Sequence, residues 1–159
     1  MDLRRFEFDG RMDERDGQQF VSGRALFGDG WTRIHRVETH GFASMPVKGA
    51  KGLLLAPHPD LGFVLGLENP GMRPAGMPGG GTALYDAGGN IIRMVMGDGI
   101  RIDIAGASMT LTKGGVTLTI SAGGVEITGG FLKVNGVRVD DTHVHGGVVP
   151  GSGNTGTPA

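Results

Sequence analysis

The chain has 159 residues, of which 32 are glycine and none is cysteine, with a formal net charge of −1. The balanced charge excludes electrostatic recruitment to nucleic acid or anionic lipid. The missing thiols exclude disulfides and thiolate metal sites, and suit synthesis in a reducing cytoplasm. Glycine, at roughly three times its usual ~7% share, follows no G-X-Y period, which excludes collagen.

The opening stretch, MDLRRFEFDGRMDERDGQQF, is charged and lacks an apolar core, so no signal peptide is read there. The longest apolar run, Leu53 to Ala56, is far short of the ~20 residues of a membrane helix. Residues 1–19 are expected to be a polar lead-in, either a mobile arm or a partner-docking segment.

From Phe20 the chain reads as short strands punctuated by Gly and Pro: FVSGRALF, WTRIHRVETHG, KGLLLAP and LGFVLGLEN, with turns at GDG, HPD and NPG. No helical period with a cap interrupts them. Five or so strands in about 65 residues predict a small antiparallel barrel of the oligonucleotide/oligosaccharide-binding (OB) type over residues 20–88. PGMRPAGMPGGGTALYD then reads as a hinge, too rich in Gly and Pro for regular structure.

Residues 89–141 follow a different pattern. From Ile100 the apolar residues alternate strictly: Ile100, Ile102, Ile104; Met109, Leu111; Val116, Leu118, Ile120; Val125, Ile127; Leu132, Val134; Val137, Val139. Between them stand Thr, Arg, Asp, Glu and Lys. Period-two alternation gives each strand one dry face and one wet face. No helix follows to cover the dry face, and uncovered sheet faces and edges are unstable. Three copies winding about one axis would cover both, forming an intertwined triangular β-prism. A monomeric β-solenoid and a dimeric sandwich remain as alternatives.

Residues 142–159 would form the tip and a Gly/Pro-rich tail. Carrying the alternation of Val137 and Val139 forward turns Asp141, His143 and His145 inward, with the histidines ~6.6–6.8 Å apart. Two histidines per chain and three chains supply six nitrogens, an octahedral shell. That shell argues against tetrahedral structural zinc and favours Fe(II) or Ni(II). Saturated coordination leaves no open position, so such an ion would be structural. The bland alternative is a functionless HxH on a frayed end. Inward Asp141 carboxylates would call for a hard cation such as calcium; a bulge after Val139 would instead turn them outward to cap a solvated turn.

The order of a small barrel, the GGGTALYDAGGNIIRMVMGDGIRI junction, alternating strands and LKVNGVRVDDTHVHGG resembles the baseplate assembly protein V family. This is the central spike of contractile-tailed phages, and the likeness is strongest to its Mu-like branch. It covers roughly Gln19 to Pro158, and its most specific parts are the ALYD–GN junction and the VNG…HxHGG ending. The resemblance implies a homotrimer with an OB-fold base and a triangular β-helical shaft ending in a point. One iron ion per trimer would be held there by His143 and His145 of all three chains. It also implies calcium and chloride on the axis, with Asp141 a candidate for calcium. The implied partners are the baseplate hub and tail-tube proteins and, transiently, the host outer membrane. The implied location is the virion tail baseplate.

The expected role is mechanical and non-enzymatic. One rival reading makes the barrel a carbohydrate- or single-stranded-nucleic-acid-binding module on a trimeric stalk, but that needs exposed aromatics on a basic groove, and only Trp31, Tyr85 and a few phenylalanines are on offer. Another makes the HxH pair part of a zinc hydrolase with Asp140 or Asp141 as base, which needs three protein ligands on one chain. His35, His40 and His58 belong to the other half and read as surface or barrel-wall residues.

Overall fold

The structure, a computed structural model, describes residues 2–143 and 151. The protein is all-β, with no α-helix among the described residues. It divides into two compact units, residues 1–105 and 106–159.

In the first unit, β1 (Asp2–Arg15), β2 (Gln18–Ala25), β3 (Gly30–Val37), β4 (Lys51–His58) and β5 (Leu61–Glu68) close a barrel in the order β1-β2-β3-β5-β4. Pairing is antiparallel except for β3 and β5, which run parallel. The four segments read from Phe20 onward correspond to β2 through β5.

The polar lead-in expected over residues 1–19 is overturned: this stretch supplies the first barrel strand. Every second side chain of a barrel wall faces water, so the charges of β1 hide an inward pair, Phe6 and Phe8, which are 1% and 2% exposed. Asp16 and Gly17, with φ of 51° and 74°, form the two-residue turn that twists β1 back into β2. β1 pairs with β4 over Asp2–Glu7 and with β2 over Phe6–Phe8 and again over Met12–Arg15, with a register shift between Phe8 and Met12 that bends the strand; pairing on both edges closes the barrel.

Phe6 and Phe8 join Val21, Ile34, Leu54 and Val64 in the core, with Met12 and Trp31 packed against it. Gly23 fixes the closest approach of β1 and β2. A Cβ there would sit 2.2 Å from the Glu7 carbonyl and 2.5 Å from the Phe6 ring.

The expected hinge ends in a strand rather than running irregularly throughout. Thr82–Tyr85 form β6, which joins β7 (Ile91–Val95) and β8 (Gly99–Asp103) in a second sheet of the first unit. Asp86 closes the β6–β7 turn. Its Oδ1 accepts the Gly88 and Asn90 amides at 2.8 and 3.0 Å, and its Oδ2 accepts the Asn90 side-chain amide at 2.6 Å. Asn90 Oδ1 in turn accepts the Ala105 amide at 2.9 Å, tying the turn to the end of the unit. The expected barrel–shaft boundary at 88/89 falls inside this turn.

The second unit contains β9 (Ser108–Lys113), β10 (Val116–Ser121) and β11 (Gly124–Thr128) in a sheet of order β11-β10-β9, then a hairpin of β12 (Leu132–Val134) and β13 (Val137–Val139). Asn135 and Gly136, at φ 49° and 86°, give the hairpin the turn that an Asn-Gly pair favours.

Candidate functional site

The register of β9–β11 sorts its residues by chemistry. Leu118 stands opposite both Leu111 and Ile127, and Ile120 opposite both Met109 and Val125. Side chains directly opposite one another share a face, so these six residues make one unbroken apolar surface. The other face carries Thr110, Thr119 and Glu126 in one row and Thr112, Thr117 and Thr128 in the next. The apolar face lies open to solvent, with Leu111 56%, Ile120 42% and Val125 68% exposed.

The same division recurs on either side of this sheet in the chain. In β12–β13, Leu132 faces Val139 and Val134 faces Val137, and all four are exposed. In β6–β8, Leu84, Ile92 and Ile102 form one row and Met94 pairs with Ile100 beside it; Ile100 is 71% exposed. Stable single-chain domains rarely leave contiguous apolar surface uncovered.

On its wet face the β12–β13 hairpin carries Phe131 with two cations over its ring: Arg138 Cζ at 4.5 Å and Lys133 Nζ at 5.5 Å from the centroid. Arg138 also pairs with Asp140. The Asp140 carboxylate is held below the ordinary aspartate range, first by the Thr142 hydroxyl at 2.7 Å, then also by the Thr142 amide and Arg138.

The strand expected to run on through the tip stops at Val139. Asp140 begins a turn in which the His143 amide donates to the Asp140 carbonyl at 3.3 Å. The strand ends here because the Asp140 carboxylate competes for local amides, as aspartates at turn starts do. Parity therefore cannot be carried from Val139 to Asp141 and His143, and the expected strand spacing of the two histidines does not extend from β13. Asp141 is an exposed turn residue, His143 is exposed, and His145 lies outside the described residues.

His143 has a backbone contact at its ring. Its Nδ1 contacts the Asp140 carbonyl. A ring N–H at this position would donate to the carbonyl, a bond that sets ring orientation in metal-ligating histidines. Among the described residues no group of three or more His, Cys, Asp or Glu converges within one chain.

His35, His40 and His58 are not brought together. His35 sits in the barrel wall between Phe20 and Phe63, its ring centroid 5.6 and 6.1 Å from theirs. His40 is in an exposed turn, and His58 Nδ1 accepts the Asp60 amide at 3.4 Å. Trp31 is committed to the barrel, its indole N–H bonding Asp29 at 3.3 Å.

Sequence reasoning missed Arg36, which organises one end of the barrel. Its guanidinium is buried, donates to Gln19 Oε1 at 2.6 Å and to the Ser44 carbonyl and hydroxyl at 2.7 Å, and lies 2.9 Å from Glu38 Oε1. Burial pushes its pKa down, with Glu38 pulling the other way. An arginine outside any motif gives no sequence signal for such a role. Searches of protein-family models and of curated proteins find no match to this chain.

Proposed function

We propose that this protein is the central spike of a contractile phage tail or a tail-like machine: a homotrimer that acts mechanically on the host outer membrane. The observation carrying this reading is the unbroken apolar face of Met109, Leu111, Leu118, Ile120, Val125 and Ile127. In one chain Leu111, Ile120 and Val125 are exposed and Met109, Leu118 and Ile127 half-buried, so the face calls for a cover of its own kind. Three such faces turned toward a common axis cover one another. The threonine and charged faces then point outward, and the result is a triangular β-prism.

The barrel suits the base of such a spike. Its strand order, with β1 closing onto β4 and β3 parallel to β5, supports an OB-type reading. The prism suits force transmission, because apolar burial along its whole length and hydrogen bonding between chains resist bending at any single point. No enzymatic step is part of this reading.

At the tip, His143 and His145 of three chains would hold the iron ion that the family resemblance implies. The ion would supply a six-coordinate crosslink between three chain ends, and binding linked to folding stabilises the bound form. His143 contributes an imidazole already oriented by the Asp140 carbonyl.

Elemental analysis of the purified protein tests the tip. One transition-metal ion per three chains is expected, and it should be lost in the His143→Ala, His145→Ala double variant while the trimer persists. Metal retained by the double variant would contradict the ligand assignment. Dissociation of that variant to single chains would contradict the division of labour between shaft and tip.

A further inference from the structure

The barrel wall carries a second uncovered apolar surface, outside the three sheets. It lies where β1, β4 and β5 run side by side. Arg5, Leu53 and Leu65 occupy one row across those strands, and Leu53 and Leu65 are 48% and 43% exposed. Beside them the register shifts between Lys51 and Gly52, and Gly52 stands opposite Gly66. Gly66 has a φ of 83° and nothing within 4 Å of where a Cβ would project. Gly66 leaves open a groove of about 500 Å³ between the leucines and the charged ends of the strands, with Gly52 in its lining.

The charges around this groove are not symmetrical. Lys51 stands opposite Glu68 in the β4–β5 ladder, but its ammonium pairs with Glu7. Arg5, on the β1 side, and Glu68, on the β5 side, have no ion-pair partner among the described residues, and both are exposed. One wall of the groove therefore presents an unpaired cation, the other an unpaired anion, with leucines between them. A surface of this kind is complementary to itself under rotation about an axis: Arg5 of one copy meets Glu68 of the next, and the leucines meet between them.

From this geometry we infer that the β1–β4–β5 wall is the contact between barrels of neighbouring copies, with Arg5 of one copy paired to Glu68 of the next. The inference rests on the trimer reading above and adds a second, polar-rimmed contact to the apolar one. A closed ring satisfies every copy's Arg5 and Glu68 once, as head-to-tail contacts do when the rotation closes. The rim charges set register and partner choice, while the leucines supply most of the buried area.

The chain has no cysteine, so a single introduced thiol reports one position. In the full-length protein, Leu53→Cys should react with a maleimide at least tenfold more slowly than Thr119→Cys, which lies on the wet face of β10. Adding Arg5→Glu, or separately Glu68→Arg, should raise the Leu53→Cys rate toward the control, and both together should restore protection. Native mass is recorded on every variant. A three-chain Leu53→Cys particle whose introduced thiol reacts as fast as the control overturns this inference and leaves the trimer standing. Single charge reversals without effect, or a double reversal without rescue, overturn the Arg5–Glu68 pairing. A one-chain wild-type particle overturns both the inference and the reading beneath it.

Discussion

Ile120 on β10 stands directly opposite Val125 on β11, and the two are 42% and 68% exposed in the single chain. A pair of large aliphatic residues on an open face is the surface that a neighbouring chain would cover. In the proposed prism they face the axis.

Ile120→Asp should therefore convert the three-chain particle to single chains. It would place three carboxylates in a shared apolar interior, where each unpaired buried charge costs several kcal/mol. Thr119→Asp, one residue away on the wet face, should leave assembly intact. Light scattering of the two variants at equal concentration checks this, and equal behaviour would contradict the assignment of faces.

Arg36→Ala should destabilise the barrel by about 3–5 kcal/mol, the usual cost of breaking a buried charged pair. The substitution strips Glu38 of its cation, removes the donor to Gln19 Oε1 and leaves the Ser44 carbonyl with only the longer bond from Gln19 Nε2 at 3.2 Å. The protein's one tryptophan, Trp31, lies in the barrel. Its fluorescence in a urea titration reports barrel unfolding by itself, and an unchanged midpoint would show that the Arg36 network is incidental.

The Asp86 turn should loosen in acid. Asn90 above all, helped by the Gly88 and Gly89 amides, holds the Asp86 carboxyl below the ordinary aspartate value. A depressed folded pKa stabilises the turn at pH values above the unfolded value, roughly 3.9, and that contribution is lost as pH falls through the lower folded value. NMR titration of the Gly88 and Asn90 amides should show their shifts moving only below about pH 3.9. Movement centred at or above that pH would mean the hydrogen bonds do not hold the carboxylate.

Much of this organisation was legible in the sequence, and the exceptions have physical causes. The alternation of Leu118 and Ile120 with Thr117 and Thr119 reads directly as two faces, because a strand's period is two and each residue type has one preferred side. β1 was hidden because its outward positions are charged and only Phe6 and Phe8 point in. The signal that could have found it was Asp16–Gly17, a hairpin turn between that pair and the apolar Phe20–Val21. β6 was masked by the Gly and Pro before it, since composition registers the loop and not the short Thr82–Tyr85 ladder. At the tip, extrapolating parity past Val139 failed because Asp140 carries its own turn-forming hydrogen bonds. The Arg5–Glu68 relationship was out of reach, since it depends on β1 and β5 flanking β4 in a closed barrel.

The number of chains in the native particle decides between a spike and a lone domain. Native mass spectrometry of the full-length protein, diluted stepwise from a micromolar stock, should show a single species of three 16.5 kDa chains throughout. A stable, folded particle of one chain, with its β9–β11 face still open to solvent, would contradict the spike.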